Sequence, residues 1–143
     1  MESDSTLKTV KDTRVYRRNL PHVEQPGSVY FITFRAADGF LLSDTAKDII
    51  FDTIKYHADK KYKLHACVVM ETHVHCILQP LEESSNYFYS IAQITHSIKS
   101  FSANRIQRTL NKKGNVWLDE NYDRIIRDDE EFLEKLNTSL IIQ

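Results

Sequence analysis

The 143-residue sequence predicts an α+β domain with the element order β-α-β-β-α-β. Three observations predict it. Runs rich in β-branched and aromatic residues alternate with runs of helical period. Two of the strand-like runs are separated only by Glu71-Thr72, so they form a hairpin. A long helical run then leads, through Gly114, into a last short strand.

Residues 1–27 read as an N-terminal arm and 28–143 as the domain. The arm lacks clear periodicity and contains Pro21, Pro26 and Gly27. Ser28 to Phe34 reads as the first strand, and Ala37-Asp38-Gly39 as a turn after it. Asp44 to Ala58 reads as a helix, with Ala46, Ile49, Ile50, Ile54 and His57 on one stripe and Ser43 or Asp44 as cap. Lys63 to Met70 and His73 to Gln79 are the hairpin strands. Asn86 to about Leu110 reads as the long helix, with Phe88, Ile91, Ile94, Ile98, Phe101, Ile106 and Leu110 as its buried stripe. A strand begins at Asn115-Val116-Trp117-Leu118 and continues towards Tyr122. Glu130 to Leu140 begins a last helix, truncated by the chain end. The order is the split βαβ, ferredoxin-like arrangement: a four-stranded antiparallel sheet with helices on one face. That fold hosts many functions and selects none.

Composition narrows the class. The chain is 41% hydrophobic and 27% charged, with no apolar run long enough to span a bilayer. Its polar, acidic first residues do not read as a secretory signal. Cys67 and Cys76 give neither zinc spacing nor a disulfide framework, so a reduced, cytoplasmic setting is expected. Net charge is −1, but the charge is uneven. Ser84 to Leu118 holds no acid and carries Lys99, Arg105, Arg108, Lys112 and Lys113. Within the arm, the stretch from Lys8 to Arg18 adds Lys8, Lys11, Arg14, Arg17 and Arg18 against Asp12. Such runs suit phosphate binding, and equally a solvated helix face.

The most informative residues are His73 and His75. Two apart on a strand, they share a face and lie roughly 6.6 Å apart along it. Two imidazoles so placed can converge on one divalent cation, which would polarise a phosphoryl oxygen. The competing reading is two histidines hydrogen-bonded on a partly exposed sheet. Cys76 points away from both, towards the expected core. A phosphodiester-cleaving enzyme would also need a nucleophile, and tyrosine can serve. The seven tyrosines are Tyr16, Tyr30, Tyr56, Tyr62, Tyr87, Tyr89 and Tyr122, and periodicity selects none of them.

At these residues the chain resembles a known family. Met70-Glu71-Thr72-His73-Val74-His75 resembles the His-hydrophobe-His block of the HUH-superfamily single-strand DNA transposases, of the insertion-sequence-200-like type. It is most similar to the REP-associated tyrosine transposase branch. Arg17-Arg18-Asn19-Leu20-Pro21-His22, then Tyr30-Phe31-Ile32-Thr33-Phe34-Arg35, resemble the family's opening. His96-Ser97-Ile98-Lys99-Ser100 resembles its long-helix motif. Gly114-Asn115-Val116-Trp117 and Tyr122-Asp123-Arg124-Ile125-Ile126-Arg127 resemble the strand that follows. The blocks run from about Tyr16 to Asn137, and their order and spacing carry the resemblance.

The resemblance implies a nuclease that nicks and rejoins single-stranded DNA at hairpin-containing repeats. It implies Mg²⁺ or Mn²⁺ on His73 and His75, and a tyrosine on the C-terminal helix that becomes linked to the DNA 5′ end. Relatives include both monomers and homodimers. The sequence departs from the pattern where that tyrosine is expected: it has Thr138, and four residues on, where a polar metal ligand is expected, Ile142. The tail from Thr138 reads as replaced. A threonine hydroxyl is a poor nucleophile without a dedicated base. The expectation is a fold and metal pair retained with nicking impaired, and Tyr122 as the fallback nucleophile.

For DNA, the candidates are Arg17, Arg18, Lys99, Arg105, Arg108, Arg124 and Arg127 on phosphates, and Trp117 stacked on an unpaired base. Trp117 can equally pack in the core, and Arg124 and Arg127 can equally pair with the acids around them. Two further function classes stay open: a DNA-binding module without catalysis, and a metal-binding remnant.

Overall fold

The computed structural model describes residues 6–10, 13–17 and 28–141. Its strands are β1 (Thr6–Val10), β2 (Thr13–Arg17), β3 (Val29–Ala36), β4 (Tyr62–Val69), β5 (His73–Pro80), β6 (Glu82–Ser84), β7 (Tyr87–Phe88) and β8 (Trp117–Ile126). Its helices are α1 (Asp44–His57), α2 (Ile91–Leu110) and α3 (Asp129–Ile141).

The fold is α+β. The expected four-stranded antiparallel sheet is present in the order β4-β5-β3-β8. Two strands from the arm, β1 and β2, extend it past β4 to six. The arm was expected to be aperiodic, but Thr6, Thr9, Val10, Thr13 and Val15 supply β-branched residues on both sides of a two-residue link. Arg14 fastens β2 to α1, with Nε 2.7 Å from Asp48 Oδ1.

Alternation on the strands divides the core in two. Ile32, Phe34, Cys67, Val69, Val74, Cys76 and Leu78 face α1 and α2, where they meet Ile50, Ile54, Ile94, Ile98 and Ile106. Ser43 caps α1 by accepting from the Ala46 N–H. Val29, Phe31, Ala66, Ile77 and Ile126 face the other way, against Phe132 of α3. The sheet is therefore covered by two helices on one face and by α3 on part of the other.

Two expectations need correction. The long helix starts at Ile91, five residues later than Asn86. Glu82–Ser84 and Tyr87–Phe88 pair as a small hairpin, with Asn86 in the left-handed region at φ 63°. Ser90 then opens α2 with a capping box: its Oγ accepts from the Gln93 N–H, and the Gln93 side chain accepts from the Ser90 N–H. The buried stripe of α2 is also narrower than expected. Phe88, Phe101 and Leu110 are exposed, and Phe101 instead packs its ring against Tyr56 and His57 at the end of α1.

α3 is held at its first turn. Glu131 bonds the Arg124 guanidinium, and its other oxygen accepts from the Arg127 N–H at 2.9 Å. That N–H bond first, then the charges of Arg124 and Arg127, hold the Glu131 carboxyl below its usual pKa. A depressed carboxyl pKa adds stability above the unfolded value, and this is lost as pH falls through the carboxylate range. Phe132 is the apolar half of the anchor and is 1% exposed. Phe132→Ala is expected to cost about 3–5 kcal/mol by cavity formation. Urea unfolding measures that loss, and hydrogen exchange should show α3 released first.

Candidate metal centre

β5 carries His73, His75, Ile77 and Gln79 on the face that α3 partly covers. Antiparallel register sets their neighbours on the same face. Arg35 of β3 lies opposite His73, and Thr33 lies opposite both His75 of β5 and Tyr122 of β8. Tyr122, Thr33 and His75 thus form one row across three strands.

Each imidazole is held through one nitrogen. Nδ1 of His75 is 2.8 Å from Thr33 Oγ1. Nδ1 of His73 is 3.0 Å from Thr72 Oγ1. The two rings meet edge to face with centroids 4.9 Å apart, and Phe31 stacks on His75 at 5.3 Å. Nε2 of His75 is buried and has no hydrogen-bond partner. A buried polar atom left this way costs roughly 1–3 kcal/mol.

The electrostatics favour neutral rings. Burial, then the neighbouring His73 and Arg35, push the His75 pKa down to about 4. Burial, then Arg35, lower that of His73. Neutral imidazole is the form that ligates a metal. In the tautomer whose Nδ1–H donates to the threonine hydroxyl, the Nε2 lone pair is left for a cation, and a hydrogen bond on the other ring nitrogen is the usual support of a ligating histidine. The residues present therefore fit a divalent cation on the His73–His75 pair. Among the described residues, no group of three or more His, Cys, Asp or Glu gathers to complete a ligand set.

α3 passes over this face. Nζ of Lys135 lies 5.3 Å from the centre of the Phe31 ring, the ring that stacks on His75. Thr138 is in α3, three residues beyond Lys135. Ile142 lies outside the described residues.

The other candidates are scattered. Arg105 and Arg108 are exposed on α2, in the layer across the sheet from the histidines. Lys99 is drawn into a cleft between α2 and β8, where its Nζ donates to Leu118 O at 2.6 Å, and burial lowers its pKa. The carbonyls of Leu118 and Asp119 both engage that ammonium. Arg124 and Arg127 pair with Glu131, the alternative their acidic surroundings left open. Arg17 ends β2, opposite Thr6 of β1 and Ala66 of β4, and Arg18 lies outside the described residues. Tyr122 is 52% exposed and shares the histidine face.

Trp117 is corrected to a core residue. It is buried against Phe34 at 5.1 Å, and its Nε1–H donates to Ser102 Oγ at 3.0 Å. Only 7% of the residue is exposed, on the cleft between α2 and β8. Trp117→Phe is expected to lower stability by about 1–2 kcal/mol through the lost hydrogen bond and contacts. DNA affinity should not change, which urea unfolding and fluorescence anisotropy together check.

Sequence reasoning missed Thr33, Arg35 and Lys135 as neighbours of the pair. Alternation along Phe31-Ile32-Thr33-Phe34-Arg35 was the available signal for the first two. Lys135 depends on where α3 docks, which no local pattern encodes.

The α+β fold with its antiparallel sheet recurs among proteins of known structure. Two solved structures share it. One is a REP-associated tyrosine transposase bound to a REP hairpin: TM-score 0.64, 20% identity, covering 88% of this chain and 70% of that one. The other is a transposase candidate from Deinococcus radiodurans R1: TM-score 0.58, 18% identity, covering 80% of this chain and 88% of that one. At these identities the likeness is one of fold. No protein-family profile and no curated protein matches the sequence.

Proposed function

We propose that this chain is a DNA-transposition-type protein that binds hairpin-containing single-stranded DNA and holds Mg²⁺ or Mn²⁺ on His73 and His75. The observation that carries the reading is the orphaned, buried Nε2 of His75 beside His73, with both Nδ1 atoms already held by threonine hydroxyls. The transposase fold and the resemblance of the sequence blocks support it.

When bound, the cation would polarise a phosphoryl oxygen and offset charge developing at phosphorus. Thr33 and Thr72 fix the imidazole orientations. Phe31 shields the inner ring from water. Arg105 and Arg108 offer exposed cations to the phosphates of the same DNA, on the other layer of the domain. Strand nicking and rejoining is impaired in this chain, because Thr138 stands where the resemblance places the attacking tyrosine. A second, identical copy would carry the same threonine, so a homodimer would not restore it.

The second reading is a DNA-binding module without catalysis, and Thr138 is the residue that favours it. Among the described residues no helix is long and apolar enough to cross a membrane. Cys67 and Cys76 are buried in the core and form no disulfide, which suits a cytoplasmic setting.

Anisotropy of a labelled hairpin-tailed oligonucleotide, with and without Mn²⁺, tests the reading. Salt-sensitive binding that Mn²⁺ strengthens is expected. No binding at low salt in either condition would reject both readings.

A further inference from the structure

Arg35 is the last residue of β3 on the histidine face. It stands directly opposite His73, at roughly 5 Å between Cα atoms for such a pair. It is exposed, and no ion pair joins it to a carboxylate among the described residues. It opens onto a hollow of 140 Å³ that Thr72, the residue holding His73, also lines, together with the turn at Asp38 and Gly39.

This placement poses an electrostatic problem. A guanidinium beside two neutral imidazoles repels any cation they hold. An unpaired cation next to a metal pair weakens that pair unless an anion sits between them. Guanidinium groups suit phosphate oxygens in particular, because their planar fork donates two parallel N–H bonds.

We propose that Arg35 is a phosphate-binding residue of the metal centre. Its guanidinium takes one non-bridging oxygen of the phosphate whose other oxygen meets the cation on His73 and His75. DNA and metal are then linked: each binds better when the other is present. Arg35 also selects for a ligand that carries a phosphate at that point, over a cation alone. This role rests on the metal and DNA reading proposed for the histidine pair.

The test compares wild type with Arg35→Gln and Arg35→Lys. Mn²⁺ binding without DNA is followed by electron paramagnetic resonance of the free ion. Binding of a hairpin-carrying single-stranded oligonucleotide with Mn²⁺ is followed by anisotropy across a series of KCl concentrations. Arg35→Gln should bind Mn²⁺ alone several-fold more tightly and the oligonucleotide about tenfold more weakly. Its log–log salt slope should be shallower by about 0.7, one lost phosphate contact on a single strand. Arg35→Lys should keep the slope. Unchanged Mn²⁺ and DNA binding in Arg35→Gln would overturn the proposal. So would weakening of both with the salt slope preserved, the mark of a structural role. If wild type itself bound neither Mn²⁺ nor the oligonucleotide, the underlying reading would fall, and the role of Arg35 with it.

Discussion

Thr138→Tyr should turn this chain into a DNA-linking enzyme. If the histidine pair holds its cation, the two imidazole ligands are in place, while the nucleophile and the polar ligand that the resemblance expects at position 142 are not. Restoring a phenol at that position of α3 should raise the yield of covalent protein–DNA adduct at least ~100-fold over wild type, since loss of a nucleophile removes most of the catalytic rate. The assay is a denaturing gel of a labelled hairpin-tailed strand incubated with Mn²⁺. Wild type should stay at background. An adduct of equal yield in wild type would mean that another residue attacks. Tyr122 is the first to examine, because it shares the histidine row and is half exposed. In that case Tyr122→Phe should abolish the adduct.

Removing both imidazoles should abolish metal stabilisation. Mn²⁺ at 100 times its dissociation constant stabilises a protein by about 2.7 kcal/mol. For a domain of this size that is roughly 10 °C in Tm. The His73→Ala, His75→Ala double variant should show no Mn²⁺-dependent shift, while folding to the same secondary structure without metal. A thermal melt with and without Mn²⁺ reads both. A shift of equal size in the double variant would move the metal elsewhere. The Thr33→Val variant refines the test: it removes the group that orients His75 and should lower Mn²⁺ affinity about 10- to 100-fold, as loss of a supporting partner commonly does.

The elements were legible in the sequence wherever one pattern governed a whole segment. The hairpin of β4 and β5 follows from two apolar runs and a two-residue link. The shared face of His73 and His75 follows from the strand period alone. Legibility failed where segments compete or where docking decides. Asn86 to Tyr89 carry aromatic residues that extend the helical stripe of α2, yet the left-handed Asn86 and the capping box at Ser90 cut it short. The box was readable as Ser90-Ile91-Ala92-Gln93. The arm strands were hidden by short length and by Pro21, Pro26 and Gly27 further on. The surroundings of the histidine pair were least legible. Thr33 and Arg35 come from a strand some forty residues earlier, and Lys135 from a helix whose position is set by Phe132 and Glu131. Trp117 shows the converse: its type suits base stacking, and only the Ser102 hydroxyl and Phe34 ring beside it settle it as core.

Ligation of one divalent cation by His73 and His75 together is the point on which the proposed function turns. Pulsed electron paramagnetic resonance of Mn²⁺ bound to the full chain tests it most directly. The expected spectrum shows modulation from two imidazole nitrogens, reduced to one in either single alanine variant and lost in the double variant. A spectrum showing only water-coordinated Mn²⁺ in the wild-type protein would contradict it.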